Sequence, residues 1–450
     1  MGITPVISAY NEASLRRVRF LSYNHTQMRF NIVDHMCKLC ASANGRVSLD
    51  LNGISALLQS RKAGHALPQG LYNGAESFEF DIAAIYGESW LLAGFEAEIR
   101  KTGNYLSMMV GQWPVLIVRG RDGELRAFHN SCRHRGSLLC AQGAGTTPRL
   151  ICPYHRWTYD LNGKLLAAGR MPDDFVKDDH NLVPVHIETV AGAIFICLAA
   201  NPPPFETLRA KLTPMLAPHN LNHAKLAFQS TLVEYANWKL VMENARECYH
   251  CATGHPELSL TFPVNSSAYF DRGQEHTAAF DARMAAFGLP TAAVEEDWWQ
   301  ASRFPLNVGH VAMTMDGKFG VKKLMCDVAG GDIGSMRWAL EPHNFCHSTS
   351  EYTFYFSAMP VGPKETHVYS KWLVHEDAVE GVDYNVDDLI ELWTKTNIQD
   401  KQLAENNQAG VNSPGYVPGP YSPDAEPLTL GFVDWYCKKA KAYLDRHAKG

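Results

Sequence analysis

Two cysteines and two histidines form the pattern in this sequence with the strongest chemical meaning. Cys132 and His134 are followed, after 17 residues, by Cys152 and His155, a C-x-H-x17-C-x2-H arrangement. Two thiolates and two imidazoles can bind either a tetrahedral zinc ion or a two-iron cluster, in which the cysteines hold one iron and the histidines the other. Because a zinc ribbon would more often repeat C-x2-C pairs, the spacing favours a [2Fe–2S] cluster.

A second group of candidate ligands lies in the other half of the chain. His250 and His255 are separated by four residues, and Glu247 precedes His250 by three. Two histidines and a carboxylate can form a facial triad that leaves positions on Fe(II) open to dioxygen and substrate. The third ligand of such a triad, a carboxylate, must then come from elsewhere in the chain. The alternative is a pair of core histidines with ordinary hydrogen-bond partners.

Short β-strands joined by tight turns are predicted to position the first group. Asp122-Gly123 and Asn162-Gly163 are typical two-residue hairpin turns next to apolar runs, so the metal-binding loops are expected at facing hairpin tips. An apolar run at 191–200 indicates a buried strand, and three prolines at 202–204 mark the end of this all-β region. Apolar residues near helical spacing predict a long helix over residues 387–407.

Longer stretches around both groups resemble one family of proteins. Residues 129–137 and 152–159 are similar to the Rieske domain of ring-hydroxylating oxygenase α subunits, and residues 237–255 are similar to the mononuclear iron motif of the same proteins. The resemblance implies an α+β fold. It would consist of an all-β Rieske domain and a helix-grip-like α/β catalytic domain with an antiparallel sheet.

The resemblance also assigns ligands to two metal centres. The four residues of the first pattern are expected to bind the [2Fe–2S] cluster. His250, His255 and Asp400 are expected to bind mononuclear Fe(II), because the segment that begins at Asp400 is similar to the C-terminal ligand segment of the family. Glu405, five residues further along, is the competing carboxylate.

Residues beside the iron histidines are assigned roles in the same way. Glu247 and Asn244 are the expected catalytic residues. Glu247 matches an acidic residue, usually aspartate, that in this family bridges a Rieske histidine of one subunit to an iron histidine of its neighbour. A carboxylate can accept a hydrogen bond from each imidazole and fix both tautomers; the alternative is a surface carboxylate. Cys248 and Cys251 have no place in the ligand pattern and are expected to be packing residues.

Several further segments narrow the resemblance to the branch that acts on quaternary ammonium compounds. They are residues 246–251, 372–375, 378–384 and 418–423. This branch implies O₂-dependent hydroxylation of an N-methyl group in a compound of the glycine betaine or stachydrine type, followed by release of formaldehyde. Electrons from NAD(P)H would arrive through a separate flavin/iron–sulfur reductase, because the chain has no dinucleotide-binding fingerprint. The family pattern also implies a head-to-tail homotrimer.

Aromatic side chains are the expected binding surface for such a substrate. A quaternary ammonium ion has no N–H to donate, so its recognition relies on aromatic faces. The catalytic half offers ten candidates, among which the sequence makes no choice: Phe262, Phe270, Trp298, Trp299, Phe304, Phe319, Trp338, Tyr352, Phe354 and Phe356.

Composition limits the other functional classes. The 450 residues carry a formal net charge of −6 and 11 cysteines. The acidic balance argues against nucleic-acid binding, and no apolar stretch has the length of a membrane span. The odd cysteine count favours metal ligation or burial over a disulfide framework, so a reducing, cytoplasmic setting is expected.

Four segments are expected along the chain. They are a poorly ordered and dispensable N-terminal extension at 1–55, the N-terminal part of the catalytic domain at 56–88, the Rieske domain at 89–205 and the mononuclear iron domain at 206–450. Cys37 and Cys40 in the extension form a lone C-x-x-C. Two unrelated cysteines are favoured there over a metal or redox pair, since no second pair follows.

Two other functions are compatible with parts of the pattern. An aromatic-ring-hydroxylating dioxygenase α subunit would share both metal centres, but would more often have aspartate in place of Glu247. A Rieske electron-transfer protein without oxygenase activity would lack the second centre. The number of irons distinguishes the last case, because an oxygenase should hold three per chain and a carrier two.

Overall fold

The computed structural model describes residues 50–264, 275–326 and 328–447. The chain separates into two units, Met1–Ser48 and Leu49–Gly450, and the described residues belong to the second. The first 49 residues of the predicted extension, including Cys37 and Cys40, lie outside the described residues, as does Phe270.

Three short helices begin the described part of the chain: α1 (Leu51–Ser60), α2 (Gln69–Asn73) and α3 (Ala75–Asp81). Asp50 caps α1, because its side chain accepts a hydrogen bond from Gly53 N at 2.9 Å. An ordered helix therefore begins within the last residues of the segment predicted as an extension. Tyr72 OH donates to Glu243 Oε1 at 2.8 Å, so these helices contact the catalytic half.

Ten antiparallel strands over residues 91–197 form two sheets, in the orders β1-β10-β9-β4-β3-β2-β5 and β6-β7-β8. They are β1 (Leu91–Phe95), β2 (Asn104–Val110), β3 (Trp113–Arg119), β4 (Leu125–His129), β5 (Gly143–Thr146), β6 (Leu150–Ile151), β7 (Thr158–Tyr159), β8 (Leu165–Ala167), β9 (Pro184–Val190) and β10 (Ala193–Cys197). Gly123 and Gly163 occupy the two predicted hairpin turns with φ of 85° and 82°. The predicted buried strand is β10, in which every residue is buried.

A third sheet of seven antiparallel strands follows, in the order β11-β17-β16-β15-β14-β13-β12. Its strands are β11 (Ala224–Glu234), β12 (Val294–Glu295), β13 (Trp299–Phe304), β14 (Ser335–Leu340), β15 (Asn344–Ser348), β16 (Tyr352–Gly362) and β17 (Glu365–His375). The helices of this half are α4 (Glu206–Leu216), α5 (Trp238–Asn244), α6 (Cys251–Gly254), α7 (Leu258–Thr261), α8 (Glu275–Ala286), α9 (Val386–Val411) and α10 (Pro427–His447). Helix α9 is the predicted long helix, and its N-cap Asn385 accepts hydrogen bonds from Asp387 N and Asp388 N. The predicted α+β class is confirmed.

One continuous apolar core joins the first large sheet to the last one. It contains Trp90, Phe195 and Phe205 from the N-terminal half together with Trp299 and Trp338 from β13 and β14. These side chains are at most 5% exposed, and burial of so much aromatic surface is a strong contribution to stability. The two halves therefore fold against each other. No helix among the described residues has both the length and the apolar character that a membrane span requires.

Candidate metal centres and the adjoining cavity

Two loops with matching backbone hydrogen bonds carry the first group of candidate ligands. Cys132 O accepts from Gly136 N at 2.8 Å, and Cys152 O accepts from Arg156 N at 3.1 Å. Gly136 and Arg156 both have a positive φ, of 77° and 63°. Arginine adopts this conformation at a cost of roughly 1–2 kcal/mol, and such local strain is commonly found at functional loops.

The two loops bury their sulfur atoms and turn their imidazoles outward. Cys132 and Cys152 are 2% and 1% exposed, whereas His134 is half-buried and His155 is exposed. The two imidazole centroids are 4.6 Å apart. An inner pair of sulfurs and an outer pair of rings is the arrangement that a two-iron cluster with cysteines on one iron and histidines on the other requires.

Polar groups around these side chains also fit a cluster. Tyr159 OH lies 3.5 Å from Cys132 Sγ. Burial raises the pKa of Cys152, but hydrogen bonds from the backbone N–H groups of His155 and Tyr154 outweigh it and leave that pKa below its usual value. His134 Nδ1 is buried and has no hydrogen-bond partner among the described residues. Metal ligation by cysteine needs a stabilised thiolate, which these N–H donors favour. Metal ligation by histidine needs a ring nitrogen whose lone pair is not already used, as at His134 Nδ1.

The second group of candidate ligands forms a compact triangle. His250 Nε2 lies 3.0 Å from His255 Nε2 and 3.2 Å from Asp400 Oδ1. His255 Nε2 lies 2.9 Å from the same carboxylate oxygen. Metal–ligand bonds of about 2.1 Å at right angles would separate neighbouring donor atoms by about 3.0 Å. The three donor atoms therefore fit one face of an octahedral metal ion, as in a facial triad.

Local sequence signals bring these three side chains together. Asn237 caps α5 by accepting from Lys239 N at 3.0 Å, and the chain turns after Asn244 to present His250. The short helix α6 ends before His255, which precedes Pro256. The backbone of His255 (φ −128°, ψ 71°) lies outside the α-helical region, which is disfavoured for a residue before proline. Asp400 comes from the middle of α9.

Each histidine is oriented from its other ring nitrogen. His250 Nδ1–H donates to Glu247 Oε1 in a short hydrogen bond. His255 Nδ1–H donates to Gln399 Oε1 at 2.8 Å, and Gln399 in turn donates to Glu257 at 2.9 Å. These contacts leave both Nε2 atoms as the metal-facing nitrogens, which is how hydrogen bonding commonly fixes the tautomer of a ligand histidine.

The charges of the triad stabilise one another. Burial lowers the pKa of His250, but hydrogen bonds to Asp400 and Glu247 raise it to about 9. The pKa of Asp400 is raised by burial, yet hydrogen bonds to His250 and His255 bring it below its usual value. In the metal-free state the site therefore holds a proton where a cation would bind.

Asp400 and the competing carboxylate Glu405 have different surroundings. Asp400 contacts both histidines, whereas Glu405 Oε1 accepts from Tyr235 N at 2.9 Å and lies 3.5 Å from Lys401 Nζ. Asn244, the second expected catalytic residue, lies at the end of α5 on the wall of the cavity beside the triad. Glu247 lies on the same wall, next to His250.

Cys251 is buried and Cys248 packs against the core, as expected of packing residues, but a bond between them was not predicted. A disulfide bond joins them and brackets the two residues Tyr249 and His250. Cys251 Sγ also lies close to the nitrogens of His250 and His255. The family pattern has no position for a cysteine pair here. The C-x-x-C spacing at 248–251 was the sequence signal that could have revealed the disulfide bond.

A small cavity of about 90 Å³ opens beside the triad. Pockets for drug-sized ligands are roughly 300–1,000 Å³, so this cavity suits a small molecule. Aromatic side chains dominate its apolar wall: Phe262, Phe345, His347, Phe356 and Trp393. Phe345 stacks on Phe356 with centroids 4.6 Å apart, and Trp393 stacks on His347 at 5.1 Å.

Two of the ten predicted aromatic candidates line this cavity, namely Phe262 and Phe356. Phe345, His347 and Trp393 were not among the candidates. The polar residue Arg337 and the acidic residue Glu234 were also not predicted, and both lie on the cavity wall. Glu234 is 1% exposed and its Oε2 has no hydrogen-bond partner among the described residues; burial, with Asp400 nearby, raises its pKa to about 8.

Two protein-family models match the chain. Residues 223–442 match the ring-hydroxylating α subunit (catalytic domain), and residues 89–178 match the Rieske [2Fe–2S] domain. The first match contains the triad, and the second contains both loops with the cysteine and histidine pairs.

Curated relatives resemble most of the chain. The glycine betaine monooxygenase oxygenase subunit of Pseudomonas aeruginosa strain PAO1 is 45% identical over 397 residues, covering 85% of this chain and 91% of the relative. The protein of the same name from Chromohalobacter salexigens is 41% identical, covering 87% and 89%. A solved structure of a quaternary ammonium Rieske monooxygenase has the same fold, with a TM-score of 0.65 and 22% sequence identity. The match covers 86% of this chain and 97% of that protein, which was described in connection with carnitine oxidation and inter-subunit electron transfer.

Proposed function

We propose that this chain hydroxylates an N-methyl group of a quaternary ammonium compound. It belongs to the Rieske non-haem iron oxygenases and so carries a [2Fe–2S] cluster and a mononuclear iron. The observation that carries this proposal is the aromatic cavity directly beside the triangle of His250, His255 and Asp400. The similarity to glycine betaine monooxygenase oxygenase subunits supports the same substrate class. A carrier without oxygenase activity would have no use for the catalytic half.

Each of the two groups of side chains supplies the ligands of one metal centre. Cys132, His134, Cys152 and His155 hold the cluster. His250, His255 and Asp400 hold Fe(II). When bound there, this iron would supply open coordination positions for dioxygen, and the cluster would supply electrons.

The cavity walls hold a cation without hydrogen bonds. The rings of Phe345 and Phe356 are stacked, and Trp393 packs against Phe354 with centroids 4.3 Å apart. Ring faces attract a quaternary ammonium ion through their quadrupole, and the attraction is strongest where water is excluded. The carboxylate of Asp400, whose pKa lies below its usual value, adds negative charge at the metal end of the cavity.

The reaction balances as follows. The N-methyl C–H bond gains one oxygen atom from O₂, the second oxygen atom becomes water, and NAD(P)H supplies the two electrons. The N-hydroxymethyl group then breaks at its C–N bond, which releases formaldehyde and a proton and leaves a tertiary amine. The N–C electron pair stays on nitrogen, so no further oxidant is needed.

A separate flavin/iron–sulfur reductase is the proposed electron donor, because both similar relatives are named as oxygenase subunits. A head-to-tail homotrimer is the proposed assembly. Tyr154 beside the cluster loops is 61% exposed, and Tyr249 beside His250 is 69% exposed. Exposed aromatic side chains next to both centres are suited to an interface that brings one chain's cluster to its neighbour's iron.

Oxygen consumption and formaldehyde release across a panel of quaternary amines test the proposal. Purified protein with an NADH-dependent reductase should consume O₂ and release formaldehyde in equal amounts with glycine betaine or stachydrine. Asp400→Ala should abolish both signals while the cluster absorbance remains. Hydroxylation of an aromatic hydrocarbon, with no quaternary amine accepted, would overturn the proposal in favour of a ring dioxygenase.

A further inference from the structure

The disulfide bond between Cys248 and Cys251 lies on the wall of the cavity that holds the triad. Cys251 Sγ is within 4.8 Å of a ring nitrogen of His250 and of a ring nitrogen of His255. In a tetrahedral zinc site, bonds of about 2.3 Å to sulfur and about 2.1 Å to nitrogen place these atoms about 3.6 Å apart. A sulfur released from the disulfide therefore needs to move by only about an ångström to share a metal ion with the two histidines.

Backbone hydrogen bonds hold this segment in place independently of the disulfide. Cys251 O accepts from His255 N at 2.9 Å, and His250 O accepts from Gly254 N at 2.8 Å. Glu247 Oε2 also accepts from His250 N at 3.3 Å. The two bonded cysteines are three residues apart in sequence, and the entropic stabilisation that a cross-link provides is smallest for such short loops. The disulfide is therefore not needed to position the triad, and opening it leaves the histidines where they are.

We propose that the disulfide between Cys248 and Cys251 selects the metal of the triad. While the disulfide is closed, two histidines and a carboxylate offer a site with open positions, which suits Fe(II). When a dithiol reductant opens it, the thiolate of Cys251 joins the triad, and four such ligands suit Zn²⁺. Because Zn²⁺ has no redox chemistry, the reduced pair turns the oxygenase off. The inference rests on the metal triad of the proposed function but not on its substrate.

The two sulfur atoms differ in exposure, which decides which of them is attacked. Cys248 is half-buried and adjoins Tyr249, which is 69% exposed, whereas Cys251 is 3% exposed. A thiolate of the reductant attacks Cys248 Sγ, the S–S bond breaks, and Cys251 leaves as the thiolate beside the histidines. The second thiol of the reductant then displaces Cys248 from the mixed disulfide. The cysteine pair has gained two electrons and two protons, and the reductant has become a disulfide.

Titration with Zn²⁺ and Co²⁺ tests the proposal in protein that keeps its cluster and has had the triad emptied by a chelator. One sample is left untreated, and the other is reduced with dithiothreitol, which is then removed under nitrogen. Reduction should raise the affinity for Zn²⁺ by at least about tenfold. It should also add a thiolate-to-Co²⁺ charge-transfer band to the difference spectrum. Peptide mapping after alkylation reports whether Cys248 and Cys251 are bonded.

Three serine variants separate the two sulfur atoms from a general effect of reduction. Cys248→Ser should bind Zn²⁺ with the higher affinity without any reductant, because Cys251 can no longer be held in the disulfide. Cys251→Ser should keep the lower affinity in both states. The control is Cys437→Ser, which changes a partly buried cysteine on α10 and should respond to reduction as the wild type does.

Three results with the wild type would overturn the metal selection and leave the triad intact. They are equal Zn²⁺ affinity before and after the disulfide has opened, a disulfide that dithiothreitol does not open, and alkylation of both Cys248 and Cys251 in protein purified without a reductant. These comparisons decide the matter even where a serine variant fails to fold. A protein that binds Co²⁺ in neither state would instead remove the metal triad, and this inference with it.

Discussion

At the scale of single residues, the raised pKa of His250 links metal binding to pH. A metal ion needs the neutral imidazole, so below about pH 9 it must displace the proton that Asp400 and Glu247 stabilise. The same shift stabilises the metal-free fold fully below the unfolded pKa of about 6.5, and that contribution is lost as the pH rises through about 9.

We therefore expect the affinity of the metal-free protein for Co²⁺, used as a redox-stable probe, to rise by about tenfold per pH unit between pH 7 and pH 9. Titration followed by the visible absorbance of bound Co²⁺ measures it. Glu247→Gln removes one charged hydrogen-bond acceptor of His250 and should therefore lower the pKa of that histidine. The Co²⁺ affinity of the variant should then level off at a lower pH than that of the wild type. An affinity that does not change with pH over this range would contradict the assignment of His250 as a protonated ligand.

Glu247 also offers a test of electron transfer. Glu247→Gln should keep the cluster, the iron and substrate binding but lower turnover by about 10- to 100-fold, the usual effect of removing an outer partner of a metal ligand. Metal and sulfide content, calorimetric substrate binding and O₂ uptake provide the three readouts. The control is Glu405→Gln, which changes a carboxylate on α9 that contacts Tyr235 N and not a histidine. Full turnover in Glu247→Gln would show that the carboxylate is dispensable.

At the scale of elements, the two glycine turns of the Rieske half have different tolerance for a side chain. Both glycines have a positive φ, but a Cβ on Gly163 would lie 2.5 Å from the Phe128 ring, whereas a Cβ on Gly123 would meet nothing within 4 Å. Gly123→Ala should lower the free energy of unfolding by about 1–2 kcal/mol. Gly163→Ala should lower it further, because the buried Phe128 has to move.

Chemical denaturation followed by cluster absorbance and tryptophan fluorescence compares the two variants. The β7–β8 hairpin lies directly after the loop that carries Cys152 and His155, so Gly163→Ala should also lose its cluster at a lower denaturant concentration. Equal stability of the two alanine variants would mean that the Phe128 contact carries no cost.

The sequence predicted these turns because Asp-Gly and Asn-Gly encode a local conformation. It could not predict the lining of the cavity in the same way. Arg337 and His347 share one face because they are register partners on β14 and β15, and the pairing of distant strands is not visible in local patterns. Trp393 was within reach, because it precedes Asp400 by seven residues, about two turns, on a helix that the sequence did predict.

At the scale of the whole molecule, the head-to-tail assembly predicts complementation between two inactive chains. Asp400→Ala lacks an iron ligand and His134→Ala lacks a cluster ligand, so a mixed oligomer would contain an intact cluster facing an intact iron. Mixing the two with subunit exchange should restore part of the O₂ uptake. Mixing Asp400→Ala with His250→Ala should restore none, because both lack the same centre. No recovery in oligomers shown to have exchanged would contradict electron transfer between subunits.

The position of the second metal centre illustrates what the family resemblance added. The histidine pair stands out in the sequence, but Asp400 lies 145 residues beyond His255 and is one of many carboxylates there. Only the similarity of its surrounding segment singled it out. The helix that carries it packs across the sheet, which brings Asp400 to 2.9 Å from His255 Nε2, a tertiary contact that no local propensity encodes.

The core shared between the two halves sets a limit on how such proteins can exchange parts. The match to the Rieske family ends at residue 178, but β9 and β10 follow it and lie between β1 and β4 in the same sheet. Phe195 of β10 packs in one core with Trp299 and Trp338 of the catalytic half. A chimeric gene that combined the cluster loops of one relative with the catalytic half of another would therefore need to take both sides of this core, β10 as well as β13 and β14, from the same relative.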